Sequence, residues 1–236
     1  MCRIFLSYRK PPAPLFSAFV EISRRDRTKG WSHGSGWGAL YLRRGEYGVF
    51  KSTRPIWESF VEPPEGYDVY VLHSRLASVG AVALANTHPI IYGGYAIVHN
   101  GTIVKEKLAE DLARVGVDVR TGGSTDTELV LKAFVHLGGG LEALSRVVSL
   151  AARHLDPEEP LMNIAIVNLE NAETYFYTYR AVEDPHFVPV LRRGEYVAVA
   201  SEPLDGGDWE RLGNGTLVVI KDGEVRLKKL LPSPPL

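Results

Sequence analysis

The sequence predicts an α+β fold in which antiparallel sheets are layered against helices. Strand-sized apolar runs dominate both ends of the chain, and helical periodicity is concentrated in residues 104–154. Neighbouring strands are joined by turn-like connections, whereas a strict alternation of strand and helix would have indicated a parallel sheet.

Cys2 to Tyr8 (CRIFLSY) reads as a first strand, ended by Lys10-Pro11-Pro12-Ala13-Pro14. From Leu15 to Arg27, the residues Leu15, Phe16, Phe19, Val20 and Ile22 recur at helical spacing, which predicts an amphipathic helix lying on a sheet. A glycine-rich, aromatic loop over 30–38 leads into a hairpin, Ala39 to Arg43 and Tyr47 to Ser52, joined by Arg44-Gly45-Glu46. Strands are expected at Asp68 to His73 and Gly94 to His99, separated by an irregular segment containing Asn86-Thr87-His88-Pro89. Three helices follow: Val104 to Arg114, Asp126 to Leu137 with Thr125 as its cap, and Leu141 to His154. The remainder is strand-rich: Asn163 to Leu169, Thr174 to Tyr179, Val188 to Leu191, Tyr196 to Ser201, Thr216 to Lys221 and Val225 to Leu230. Asp222-Gly223 between the last two is a strong hairpin signal. The expected organisation is a single domain over residues 2–231, with 232–236 as a frayed tail.

Composition narrows the function classes. The 236 residues, 45% of them hydrophobic and 23% charged, suit a protein with a sizeable core. A formal charge of −1 provides no basic field for a polyanion, so nucleic acid is not expected as a partner. Apolar runs fall well short of the roughly 20 residues that span a bilayer, and the N-terminus lacks a signal-peptide pattern. No membrane association and a cytoplasmic location are therefore expected. The seven histidines show no HExxH or paired-ligand spacing and the chain has one cysteine, so neither a metal nor another cofactor is expected. The four tryptophans are scattered and read as loop anchors and core.

That cysteine, Cys2, becomes the first residue once the initiator methionine is removed. Its thiol then stands beside a free α-amine whose ordinary pKa, about 7.7–8.0, allows it to take the thiol proton near neutral pH. Read without its neighbours, Cys2 serves equally well as a small apolar residue opening a strand. Asn100-Gly101, after a strand, offers a side-chain amide and a backbone N–H to an oxyanion, yet is also a common turn dipeptide. Arg75 has the guanidinium that could grip a carboxylate, or serves as a surface ion pair. Asp126, at a helix start, could meet an ammonium group or simply favour the helix dipole.

Taken together and in order, these motifs resemble the class II glutamine amidotransferases, whose catalytic domain is an N-terminal-nucleophile hydrolase. The resemblance rests on Met1-Cys2-Arg3, Gly36-Trp37-Gly38, His73-Ser74-Arg75, Asn86-Thr87-His88-Pro89, Val98-His99-Asn100-Gly101, Ser124-Thr125-Asp126-Thr127-Glu128 and Ala200-Ser201-Glu202-Pro203-Leu204. It implies a four-layer αββα sandwich of two antiparallel sheets between helices. It also implies that Cys2 attacks the side-chain amide of L-glutamine, with Asn100 and Gly101 as the oxyanion hole. Arg75 would hold the substrate carboxylate, Asp126 its α-amine, and His88 a position near the nucleophile. Leu76 stands where an aromatic residue is common in the family, Ser78 where threonine is usual, and Ser35 where relatives often have aspartate. The expected activity is a glutaminase of stand-alone type supplying ammonia to an acceptor or synthase on a separate chain. Hydrolysis of a larger γ-glutamyl amide, or a non-catalytic glutamine-binding domain, are the alternative readings.

Overall fold

The computed structural model describes residues 1–232, so most of the expected tail, 233–236, lies outside the described residues. In chain order the elements are β1 (Arg3–Tyr8), α1 (Ala13–Arg24), β2 (Trp37–Arg43), β3 (Glu46–Ser52), α2 (Ile56–Ser59), β4 (Val69–Ser74), β5 (Ile90–Tyr92) and β6 (Tyr95–Asn100). Then come α3 (Lys105–Arg114), α4 (Thr127–His136), α5 (Gly140–Ala151), β7 (Leu161–Asn168), β8 (Thr174–Arg180), β9 (Val190–Arg192), β10 (Val197–Ala200), β11 (Glu210–Arg211), β12 (Thr216–Lys221) and β13 (Glu224–Lys229). A seven-stranded sheet has the order β11-β9-β10-β1-β4-β2-β3, and a six-stranded sheet the order β13-β12-β8-β7-β6-β5. Each strand pairing is antiparallel.

The alternation of side chains along a strand divides the core into three layers of contact. Ile4 and Leu6 of β1 face Val98, Ala165, Val167 and Phe176 of the other sheet and form the inter-sheet core. Phe5, between them in sequence, points the opposite way and packs with Leu15, Phe16, Phe19 and Ile22 of α1. On the outer face of the six-stranded sheet, Ile97, Ile164 and Ile166 meet Leu129, Val130 and Phe134 of α4 and Leu144 and Val148 of α5. The result is the expected αββα sandwich. Strand β1 is buried on both faces because it is central, with β10 on one side and β4 on the other. The outermost β13, by contrast, is largely exposed and carries Glu224, Arg226, Lys228 and Lys229, charges that disfavour further strand addition.

Two local differences from the sequence reading have clear causes. Thr125 does not cap α4: Asp126 occupies the cap position, and no side-chain cap bond forms there. Its carboxylate instead accepts the Ile103 N–H at 2.6 Å, a tertiary contact that the local sequence does not reveal. The three-residue β5 was also missed, since its length falls below what a hydrophobic pattern resolves. The Asp222-Gly223 turn is as expected, with φ of 49° and 84° at its two central residues.

Candidate active site

Antiparallel pairing brings one end of several strands together. Arg3 at the start of β1 pairs with Ser74 at the end of β4, and Ser74 also pairs with Trp37 at the start of β2. Beyond the strands, Arg75 N–H donates to the Gly36 carbonyl and Ser35 N–H to the Arg75 carbonyl, both at 2.8 Å. The Gly36-Trp37-Gly38 motif is structural. Gly36 has φ of 106°, and a Cβ on Gly38 would collide with the His88 carbonyl oxygen. The fully buried Trp37 indole donates to Ser59 Oγ at 2.8 Å. Ser35 receives the Ala77 N–H through its hydroxyl at 3.2 Å, fastening the segment after Arg75 to this loop.

Cys2 lies at this junction. Its backbone N–H donates to Asn100 Oδ1 at 2.8 Å across the two sheets, and its Sγ stands 3.7 Å from the Leu76 carbonyl oxygen. Burial pushes the thiol pKa up, opposed by the amino terminus and by the Leu76 contact, so at neutral pH the sulfur retains its proton and needs a base to become a nucleophile. Asn100 Nδ2 is buried and has no hydrogen-bond partner among the described residues. A buried amide left with free donors is costly unless another acceptor visits it. Next to it, Gly101 has φ of 130°, and a Cβ there would collide with the Leu161 carbonyl oxygen, so no other residue fits without displacing β7.

Arg75 is buried, and its guanidinium donates to the carbonyls of Ala81 at 2.9 Å, Val79 at 2.7 Å and Gly80 at 3.2 Å. No carboxylate lies within ion-pair distance of it among the described residues, which suits a cation awaiting an anionic group. The loop it organises is stapled by Asn86, which bonds the Ala81 carbonyl and Ser124 Oγ, each at 2.9 Å, and accepts the Ser124 N–H at 2.7 Å. The Asn86 and Ser124 motif residues therefore close a loop over the site. Asp126 sits behind the Asn100-Gly101 turn, bonded to Ile103 and 3.8 Å from His99 Nδ1.

His88 packs among other histidines. Its Nδ1 lies 3.1 Å from His73 Nε2 and 3.5 Å from the His99 N–H, and His73 Nε2 lies 3.2 Å from the His99 carbonyl. It thus belongs to a buried histidine trio at β6. Burial keeps all three imidazoles neutral, His73 at a pKa of about 3 and His88 well below its ordinary value.

A second cluster went unnoticed in the sequence because its members are far apart there. Arg3, fully buried, pairs with Asp26 at 2.9 Å and donates to the Cys2 carbonyl at 3.2 Å. Asp26 also accepts from the backbone N–H groups of Thr28, Lys29, Gly30 and Trp31, and contacts His33 at 3.2 Å. Burial would raise the Asp26 pKa, but the Lys29 N–H and the Arg3 charge overcome it and hold the carboxyl at about 2. Burial and Arg3 together push His33 down to about 3 and His186 to about 4. The sign for stability follows directly. Folded, these histidines are neutral, whereas the unfolded chain takes up protons below about pH 6.5, so stability falls as the pH drops from there towards the folded pKa values. Asp26 adds stability above its unfolded pKa that disappears as the pH falls through about 2. Urea unfolding should give midpoints that decline steadily between pH 6.5 and 4; a flat profile would contradict the neutral-histidine assignment.

Met1, Trp31, Ser32, Leu76, Ala77, Ser78 and Glu159 line a cavity of about 430 Å³ beside Cys2. Glu159 was not anticipated, since Asp156-Pro157-Glu158-Glu159-Pro160 reads only as an acidic turn.

Comparison with known proteins agrees with this geometry. No family model matches the sequence. A glutamine–fructose-6-phosphate aminotransferase of Rhizobium leguminosarum bv. viciae is 38% identical over 96 residues, which is 39% of this chain and 14% of that protein. The chain therefore spans a small part of the length of that relative. An uncharacterized protein of Methanocaldococcus jannaschii is 26% identical over 248 residues, covering 87% of this chain and 66% of that one. The glutamine phosphoribosylpyrophosphate amidotransferase of B. subtilis superposes with a TM-score of 0.70 at 18% identity, covering 98% of this chain and 50% of that one. The chain shares the fold of this glutamine amidotransferase structure. A glutamine aminotransferase class-II domain protein from Silicibacter pomeroyi shares the fold over its whole length, with a TM-score of 0.63 and 19% identity, and 97% of this chain is covered. No helix among the described residues is long and apolar enough to cross a membrane.

Proposed function

We propose that the chain, once Met1 is removed, hydrolyses the side-chain amide of L-glutamine to glutamate and ammonia. The reading is supported most by one observation: the Cys2 nitrogen and the unpartnered Asn100 amide donor belong to the same hydrogen-bonded pair, so nucleophile, base and oxyanion donor converge. The freed α-amine takes the thiol proton while sulfur attacks the amide carbon, and the new oxyanion is received by Asn100 Nδ2 and the Gly101 N–H. The tetrahedral intermediate collapses as the ammonium proton passes to the leaving nitrogen, releasing ammonia and leaving a glutamyl thioester. Water, deprotonated by the same amine, then attacks the thioester carbon, the C–S bond breaks, and the ammonium returns its proton to the departing sulfur, giving glutamate and the free Cys2 thiol and amine. Arg75 and Asp126 supply positioning for the α-carboxylate and α-ammonium, charges remote from the reacting bond. His88 acts by supporting the strand beneath Asn100.

Incubation with an electrophilic glutamine analogue followed by intact-mass measurement tests this reading. The expected product starts at Cys2 and carries one adduct on that residue; retained Met1 or an unmodified thiol would refute it. In the same protein, Asn100→Asp keeps an acceptor for the Cys2 nitrogen but removes the amide donor. Its kcat for glutamine is expected to fall by about 10²–10³-fold, measured by ammonia release.

A further inference from the structure

Glu159 is unassigned in the chemistry above, although it faces the cavity beside Cys2. Its Oε2 accepts Thr102 Oγ1 at 2.6 Å and Ser78 Oγ at 3.2 Å, so its position is fixed from two sides. Its Oε1 already holds an α-ammonium: the Met1 nitrogen, at 2.8 Å. Met1 itself is buried. One residue step, about 3.8 Å between successive Cα atoms, separates this nitrogen's residue from Cys2. The structure thus contains an amino acid with its ammonium on Glu159 and its chain against the nucleophile's residue.

We propose that Glu159, fixed by Thr102 and Ser78, receives the α-ammonium group of the amino-acid substrate and makes the site selective for a free α-amine. This deepens the hydrolase reading and rests on it. Met1 stands in for the substrate: its removal frees the acceptor that the incoming ammonium then uses. In glutamine the α-nitrogen is separated from the amide carbon by Cα, Cβ and Cγ, so the ammonium group is held apart from the reacting bond. Asp126 does not make Glu159 redundant. One Asp126 oxygen is taken by the Ile103 N–H, whereas Glu159 accepts from the preceding residue, Thr102, so the two acids are fastened to adjacent residues of one segment. An N-acylated or peptide-bound glutamine would leave the partly buried carboxylate without its cation, which disfavours such substrates.

The test compares L-glutamine with its des-amino analogue, 4-carbamoylbutanoate, in the Met-free protein and in Glu159→Gln, which preserves an oxygen for Thr102 but removes the charge. For glutamine, kcat/KM should fall about 10–100-fold in the variant, mainly through KM, while the des-amino analogue changes less than about twofold. Glu159→Asp should recover part of the loss. Equal losses on both substrates, or a common shift of both pH profiles, would mean that Glu159 only supports the fold or the Cys2 amine, and would overturn the proposal. Calorimetric titration of L-glutamine and the analogue into Cys2→Ala and Cys2→Ala/Glu159→Gln separates this from the hydrolase reading. Selective loss of glutamine binding upholds the ammonium site even without turnover, whereas unchanged or absent binding rejects it.

Discussion

Cys2→Ala is expected to reduce glutamine hydrolysis by at least about 10⁴-fold, because it removes the only thiol and leaves the oxyanion donors with nothing to stabilise. The same substitution should leave stability within about 0.5 kcal/mol, since the sulfur's polar contact is a long one to the Leu76 carbonyl. Alanine at this position still permits methionine removal, so the variant isolates the sulfur from the maturation step. Ammonia release and thermal unfolding, measured on one preparation, check both halves. Residual turnover within tenfold of the parent protein would assign the chemistry to another group.

Asp26→Ala is expected to destabilise the fold by about 3–5 kcal/mol, the cost of leaving a buried guanidinium unpaired. Its effect extends beyond the ion pair. Four backbone N–H groups of the 28–31 turn lose their acceptor, and Arg3, which holds the Cys2 carbonyl, loses its anchor. Activity should decline together with stability, because Trp31 lines the cavity beside the nucleophile. The double variant Asp26→Ala/Arg3→Met removes the stranded cation and should recover part of the lost stability in urea unfolding. A double variant no more stable than the single would point to the loop bonds, rather than the buried charge, as the source of the cost.

Much of the fold was legible because local patterning and tertiary packing agree. The apolar run of Ile4, Phe5 and Leu6, the helical stripe of α1 and the Asp222-Gly223 turn each impose their element with little help from distant residues. The helix ends were less legible. Thr125 is a good cap by composition, but the cap position falls on Asp126, whose carboxylate takes the Ile103 N–H, and α4 starts at Thr127.

The candidate site divides in the same way. Cys2, Asn100, Gly101, Arg75 and Asp126 stood out as candidates because their types and flanking residues suit a chemistry, and the structure brings the Cys2 nitrogen onto the Asn100 side chain. His88 could not be placed, since a histidine in a loop gives no sign that it turns inward to pack on His73 and His99. Glu159 and the Arg3–Asp26 pair could not be identified at all.

The sequence by itself determined most of the strands and helices and singled out Cys2 as the candidate nucleophile, because each depends on residues close together along the chain. Tertiary structure alone decided which charges meet: Glu159 with the Met1 nitrogen, Asn100 with Cys2, and Arg3 with Asp26. Those pairings are set by sheet register and by desolvation in a packed interior, and neither is written in local order.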